Sequence, residues 1–300
     1  MPSSLPFLLA AAALPSVGAT FDYQSISDPL YSSTRPFGIN DNGVVSGDHG
    51  GGSIFTYSSG TFTQYSQTDG AALTYDTRIN NAGDLVGTDG GLYAFTLING
   101  TATRLSVPSF GGNTIYDSFG SGINNTGTIL GGYIGSDGQF GFELQNGTYT
   151  QIRFPGSTST EPLGINDSND VVGAYSLGSG AVHGFLLHNG VYTTIDGPGS
   201  GDTYVWGINN AGHYAVNQNG GGFFYDGAAF TTLEVPGFSG VTVLGMNNLD
   251  QIVGTYNNNG ATVGFIATSE TSGTPEPGTL LLSVGCMGIC LLARRYRRSV

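Results

Sequence analysis

A chain of 300 residues with 51 Gly, 16 Tyr, 17 Phe, no lysine and 10% charged residues suits short strands and tight turns, not long amphipathic helices. Its net charge of −13 understates the asymmetry: residues 20–274 carry four arginines against twenty acids, a field that repels a phosphate backbone and argues against nucleic acid as a partner. Both cysteines, Cys286 and Cys290, sit in the C-terminal apolar run, so the body has no disulfide and no thiol nucleophile, and the lack of lysine excludes Schiff-base chemistry.

In chain order, the first element is the apolar run LPFLLAAAAL at 5–14, followed by Val17-Gly18-Ala19 with small residues at the −3 and −1 positions of a signal-peptidase site. Residues 1–19 therefore read as a signal peptide cut after Ala19, although no Lys or Arg precedes the run. The competing reading is a buried core segment.

Residues 20–268 repeat one pattern, GIN-x-x-G-x-φ-V-G, six times. Its Asn falls at 40, 80, 124, 166, 209 and 247, with spacings of 40, 44, 42, 43 and 38. A hairpin signal follows the first five copies: 55-FTYSSGTFTQY, 95-FTLINGTATRL, 142-FELQNGTYTQI, 185-FLLHNGVYTTI and 223-FFYDGAAFTTL. Asn-Gly or Asp-Gly between aromatic and β-branched runs predicts a two-residue turn with positive φ at both positions, with Ser59-Gly60 the weakest member. Units of about 40 residues with three or four antiparallel strands match a propeller blade, whereas the coils of a parallel solenoid lack such hairpins. The sixth copy stops at 265-FIAT, before its last strand. Its missing text is at the other end: Tyr23, Ile26 and Pro29 fall at the offsets of Tyr149, Ile152 and Pro155. The expected fold is thus all-β, a six-bladed β-propeller in which an N-terminal strand completes the last blade and removes two exposed edges.

These repeats resemble the HAF family of extracellular repeats, typically written with a GIN-x-x-G-x-I-V-G core and a later HGFL; 183-HGFLLHNG fits in full. The resemblance implies a bacterial extracellular setting and no established activity.

A linker at 269–274 leads to the tail at 275–300. Pro275-Glu276-Pro277 precedes 16 residues without charge (278–293), followed by Arg294, Arg295, Arg297 and Arg298. As a helix the apolar run is about 24 Å long, and snorkelling arginines make it a short transmembrane helix with its end in the cytoplasm. The order of motif, helix and Arg cluster resembles the PEP-CTERM sorting signal of Gram-negative bacteria, and the same tail has been catalogued as an ice-binding-protein C-terminal domain. The resemblance implies that an exosortase cuts near Pro275-Glu276-Pro277 and delivers the protein to the cell surface or matrix.

No candidate site stands out in the repeat itself. The six Asn read as turn-openers that bond their own backbone. His49, His183, His188 and His213 occupy different places in their units, which gives no metal spacing and makes them solvated or hydrogen-bonded surface residues. Trp206, the single tryptophan, stands with Tyr204 and Tyr116 before the GIN motifs and is the candidate ligand contact; core packing is its other reading. Runs such as 82-AGDLVGTDGG suggest weak calcium binding at most, since the EF-hand order and its terminal Glu are missing, and no other cofactor is expected. There is no Gly-x-Ser-x-Gly elbow, phosphate loop or metal-spaced His pair. The expectation is an exported surface or extracellular-matrix protein, a non-enzymatic binding or structural module associated with exopolysaccharide. The alternative is a secreted carbohydrate-active enzyme, a glycosidase or lyase on the same scaffold.

Overall fold

The computed structural model describes residues 19–50, 53–65, 73–178 and 180–270. Among them no helix is long and apolar enough to cross a membrane. Residues 1–18 of the expected signal peptide 1–19, residues 271–274 of the expected linker 269–274 and the sorting tail 275–300 lie outside the described residues. Ala19 itself is at the edge of the description, partly buried against an apolar cluster around Phe224 and Phe265.

Each repeat folds as an antiparallel meander opened by a strand that ends on the GIN motif. These inner strands are Arg35–Ile39, Leu73–Ile79, Ile115–Ile123, Ser159–Ile165, Thr203–Ile208 and Thr242–Met246. Four meanders are separate four-stranded sheets; the other two, 115–152 and 159–195, join into one eight-stranded sheet through a single parallel bridge, Gln139↔Ser159. Every inner strand packs against the next, and Thr242–Met246 packs against Arg35–Ile39, so the sheets surround a central channel. This is a β-propeller.

The closure read from the permuted N-terminus is present. Thr20–Ile26 pairs antiparallel with Ala261–Glu270, from Thr20↔Glu270 to Ile26↔Gly264, the register in which Ile152 meets Gly141 in the third repeat. The partner strand runs to Glu270, slightly past the boundary expected at 268. Ile26 is buried with Ile39, Val45, Phe55, Val253 and Ile266, which glues the last sheet to the first.

Turn chemistry follows the sequence with one correction. Asn99-Gly100, Asn146-Gly147 and Asn189-Gly190 have positive φ at both positions, and the weak member Ser59-Gly60 adopts the same geometry at 49° and 85°. Asp226-Gly227 does not: only Gly227 is left-handed, and pairing resumes at Tyr225↔Phe230 around a four-residue loop. There the Asp226 carboxylate accepts the N–H groups of Ala229 (2.8 Å) and Ala228 (2.9 Å), which hold its pKa below the usual range and favour an Asx turn over the two-residue form.

The last glycine of the motif has a packing role. A Cβ on Gly173 would lie 2.0 Å from the Glu161 carbonyl and 2.9 Å from the Phe185 ring; on Gly254 it would lie 2.1 Å from the Thr242 carbonyl and 2.7 Å from Phe265. The bare backbone seats an aromatic ring on one side and the bulged inner strand on the other. The fifth repeat carries Val216 at this place, opposite Phe223, and there Phe223 is only partly buried while Phe224 takes the core position.

Candidate functional site

The channel wall is built by a bulge in each inner strand just before the motif. The register slips at Pro36/Gly38, Gly120/Gly122, Pro162/Gly164, Val205/Gly207 and Val243/Gly245. The extra residue leaves the ladder, which re-aims it. In the second repeat the irregularity is longer, Tyr75 to Arg78, and Asp76 within it has φ 52°. As a result Phe37, Arg78, Ser121, Leu163 and Trp206 line one upper chamber of about 60 Å³. A belt of Ile39, Ile79, Ile123, Ile165, Ile208 and Met246 borders it and also borders a second chamber of about 60 Å³ below, lined by Asn and Asp.

The lower chamber is a structural clasp. Each motif Asn is buried, and its Oδ1 accepts backbone N–H groups of its own turn: for Asn124, those of Thr126 (3.1 Å) and Thr128 (2.9 Å). This is the turn role expected from sequence. The Nδ2 group does something the sequence reading missed, for it donates to the motif-Asn carbonyl of the next repeat. The chain of donors runs Asn40→Asn80→Asn124→Asn166→Asn209→Asn247 and back to Asn40, at 2.9–3.4 Å. A second ring lies beside it. The backbone N–H groups of Asp41, Asn81, Asn125, Asp167, Asn210 and Asn248 each donate to the side-chain Oδ1 of the next residue in that series, at 2.8–2.9 Å, and Asn248 closes on Asp41. Asp167 also accepts the Nδ2 groups of Asn210 and Asn125; burial pushes its carboxyl up, but these bonds and the Asn125 N–H outweigh it and the net shift is downward. The signal was available: the position after the motif Asn is Asp or Asn in all six copies.

The upper chamber breaks this symmetry. Arg78 stands where the other repeats have the motif glycine or Gly245, and it is 7% exposed. Its guanidinium carbon lies 5.2 Å from the Phe37 ring centroid and 5.9 Å from that of Trp206. Burial lowers its pKa to about 10, against the opposing pull of Asp76, Asp48 and Glu161. Asp48 is engaged elsewhere, by Arg35 at 2.7 Å and the Gly50 N–H at 2.8 Å. Asp76 opens to solvent but is ringed by protein. The loss of surrounding water raises its carboxyl, with Arg78 opposing the shift. Glu161 is raised as well, by burial first and by the Asp76 charge second. Burial, with Asp202 and Glu161 after it, raises the Tyr204 phenol. Chemically this is a cation and an indole on the channel wall, with two carboxylates of raised pKa close enough for their charges to act on the cation.

Of the residues singled out from sequence, Trp206 is partly buried on this channel wall, and Tyr204 precedes it in the same strand. Tyr116 is 58% exposed on the strand Ile115–Ile123. Pro275, Glu276, Pro277, Arg294, Arg295, Arg297 and Arg298 lie outside the described residues. Arg78, Asp76, Glu161 and Ser121 were missed; the signal for Arg78 was its replacement of Gly in one motif copy alone. The surface assignment of the histidines needs one correction. His49 is 8% exposed, stacked on Tyr31 at 3.8 Å, and its pKa is lowered by burial. The others pair with Asp side chains: His183 with Asp196, His188 with Asp170 and His213 with Asp250. In the calcium-like run, Asp89 accepts from the Gly91 and Tyr93 N–H groups and pairs with Arg104. No group of three or more His, Cys, Asp or Glu suited to a metal occurs among the described residues.

No family model and no curated protein matches the chain. Solved structures do. The chain is similar to virginiamycin B lyase from Staphylococcus aureus (TM-score 0.51, 12% identity, 82% of this chain and 99% of that one). It is also similar to a gluconolactonase from Xanthomonas campestris (0.54, 12%, 83% and 90%). A lectin of Aleuria aurantia aligns at 0.47 and 10% identity, over 81% and 97%. At these identities the likeness to the lyase and the gluconolactonase is one of fold alone, an all-β propeller.

Proposed function

We propose that the chain is a six-bladed propeller, exported and sorted by the PEP-CTERM route to the cell surface or extracellular matrix, where it binds exopolysaccharide without cleaving it. The observation that carries this reading is the division of the channel. The repeated motif Asn and the Asp or Asn after it are spent on the clasp that joins neighbouring repeats, whereas Arg78 and Trp206, which stand in one repeat each, line the upper chamber, with the charges of Asp76 and Glu161 acting on Arg78. Recognition of a sugar needs such a set, with aromatic faces for the ring and charged acceptors for hydroxyls. The blade count is supported by the inner-strand contacts that return from Thr242–Met246 to Arg35–Ile39.

The location rests on the tail motif and on the signal-like N-terminus. Signal peptidase would act after Ala19 and exosortase near Pro275-Glu276-Pro277. Mass analysis of surface protein from the producing cell should find neither residues 1–19 nor Arg294. Recovery of the intact tail in the inner membrane overturns the sorting route.

Binding is tested by calorimetric titration of the exported protein with the producing cell's purified exopolysaccharide, with and without calcium. The expected outcome is saturable heat and unchanged polymer length. One observation favours a second reading, a glycosidase or lyase. Asp76 and Glu161 both have raised pKa values, and glycoside hydrolysis employs such a carboxylate pair with one member protonated. New reducing or unsaturated ends during the titration would make that reading the correct one.

A further inference from the structure

The Arg78 guanidinium lies over the Phe37 and Trp206 rings but has no charged partner among the described residues. Its Nη1 lacks any hydrogen-bond acceptor, and among the described residues no carboxylate lies within the 4.0 Å ion-pair distance of the group. A buried charge without an acceptor is a large liability, and folds keep one only where something else meets it. Ser121 Oγ, on another wall of the same chamber, is also buried and unpaired. Arg78 and Ser121 both line the chamber, and each has a buried polar atom without a protein partner, which points to an occupant that accepts hydrogen bonds. The space is small, about 60 Å³.

We propose that the upper chamber receives the carboxylate of a uronate residue in a glycan chain, bound by Arg78 with Ser121 beside it, while the sugar ring stays at the channel mouth. This rests on the saccharide-binding reading above and adds the acidic class of sugar. Guanidinium and carboxylate form paired, charge-assisted hydrogen bonds. The surroundings select this anion over others. The nearby Asp76 and Glu161 weigh more heavily against a phosphate dianion than against a single carboxylate, and they can accept from the hydroxyls that flank it. The Trp206 indole and Tyr204 offer aromatic surface to the ring.

The test is calorimetry of the exported protein with short oligomers of glucuronate, galacturonate and mannuronate, each beside its methyl ester, in which the acid is masked. At least one free acid is expected to bind more than tenfold tighter than its ester. Arg78→Met should abolish that preference and leave the melting temperature equal or higher, because an unpaired buried cation is replaced by an apolar chain of similar length. Ser121→Ala should weaken acid binding several-fold with the fold intact, and it decides the matter if Arg78→Met does not fold. Equal binding of acid and ester, no heat with any oligomer, or undiminished acid binding in both variants overturns the proposal. The two readings separate cleanly. Oligouronate binding without exopolysaccharide binding keeps the site and removes the matrix role, and exopolysaccharide binding indifferent to Arg78→Met does the reverse.

Discussion

Asn124 shows how one side chain serves two levels of structure. Its Oδ1 closes the local turn on Thr126 and Thr128, and its Nδ2 reaches the Asn166 carbonyl at 2.9 Å and Asn169 Oδ1 at 2.8 Å. Asn124→Ala would leave buried N–H groups and a buried carbonyl without partners, a loss of about 3 kcal/mol by the usual cost of orphaned groups. Denaturant titration should show it as a lower midpoint with an unchanged slope, and a loss below about 1 kcal/mol would mean that water replaces the bonds. Asn124→Asp is the sharper comparison, since it keeps the acceptor and removes the donor across the repeat boundary. Arg78 is the opposite case at the same scale: a residue whose surroundings satisfy no local need. A single Arg among five motif glycines or their equivalent was visible in the sequence, but its burial was not, because that depends on how the bulge in Leu73–Ile79 turns it toward Phe37 and Trp206.

Among the elements, Thr20–Ile26 decides whether the array closes. Without it, Ala261–Glu270 is an open edge, and the apolar cluster around Ile39, Phe55 and Val253 loses Ile26. Removing residues 20–26 is expected to cost about 3 kcal/mol or more from apolar burial and lost pairing. Such a protein should self-associate through the bare edge, and a synthetic peptide of residues 20–29 should restore the monomer, as seen by light scattering. A truncated protein that stays monomeric and equally stable would deny the strand its closing role. This element was legible because its spacing of Tyr23, Ile26 and Pro29 copies the strand at the end of other repeats. The hairpins were legible for a related reason: a two-residue turn is fixed by its own φ angles. Asp226-Gly227 was misread because the Asp side chain captures the N–H groups of Ala228 and Ala229 and widens the loop, a competition that the dipeptide does not reveal.

For the whole molecule, the two hydrogen-bonded rings of the lower chamber tie each repeat to both neighbours. An open stack of repeats gains or loses units additively, whereas a closed ring has no end at which to fray. Unfolding is therefore expected as one cooperative transition with coincident fluorescence and circular-dichroism midpoints, and excision of residues 115–158 should abolish the fold instead of shortening it. Stepwise unfolding, or a stable protein after excision, would contradict the closed ring. The sequence by itself determined what repeats and what is local: the strand order, most of the hairpin turns, the Asn turns and the permuted end. These depend on residues close in the chain or on a pattern copied six times. Only the tertiary structure decided what meets at the axis. Asp76 and Glu161 come from different repeats, and Arg78 and Trp206 are likewise far apart in the chain, so nothing in local spacing relates them. They become neighbours because the inner strands converge on one channel, and there burial removes the water that would otherwise have kept their charges independent.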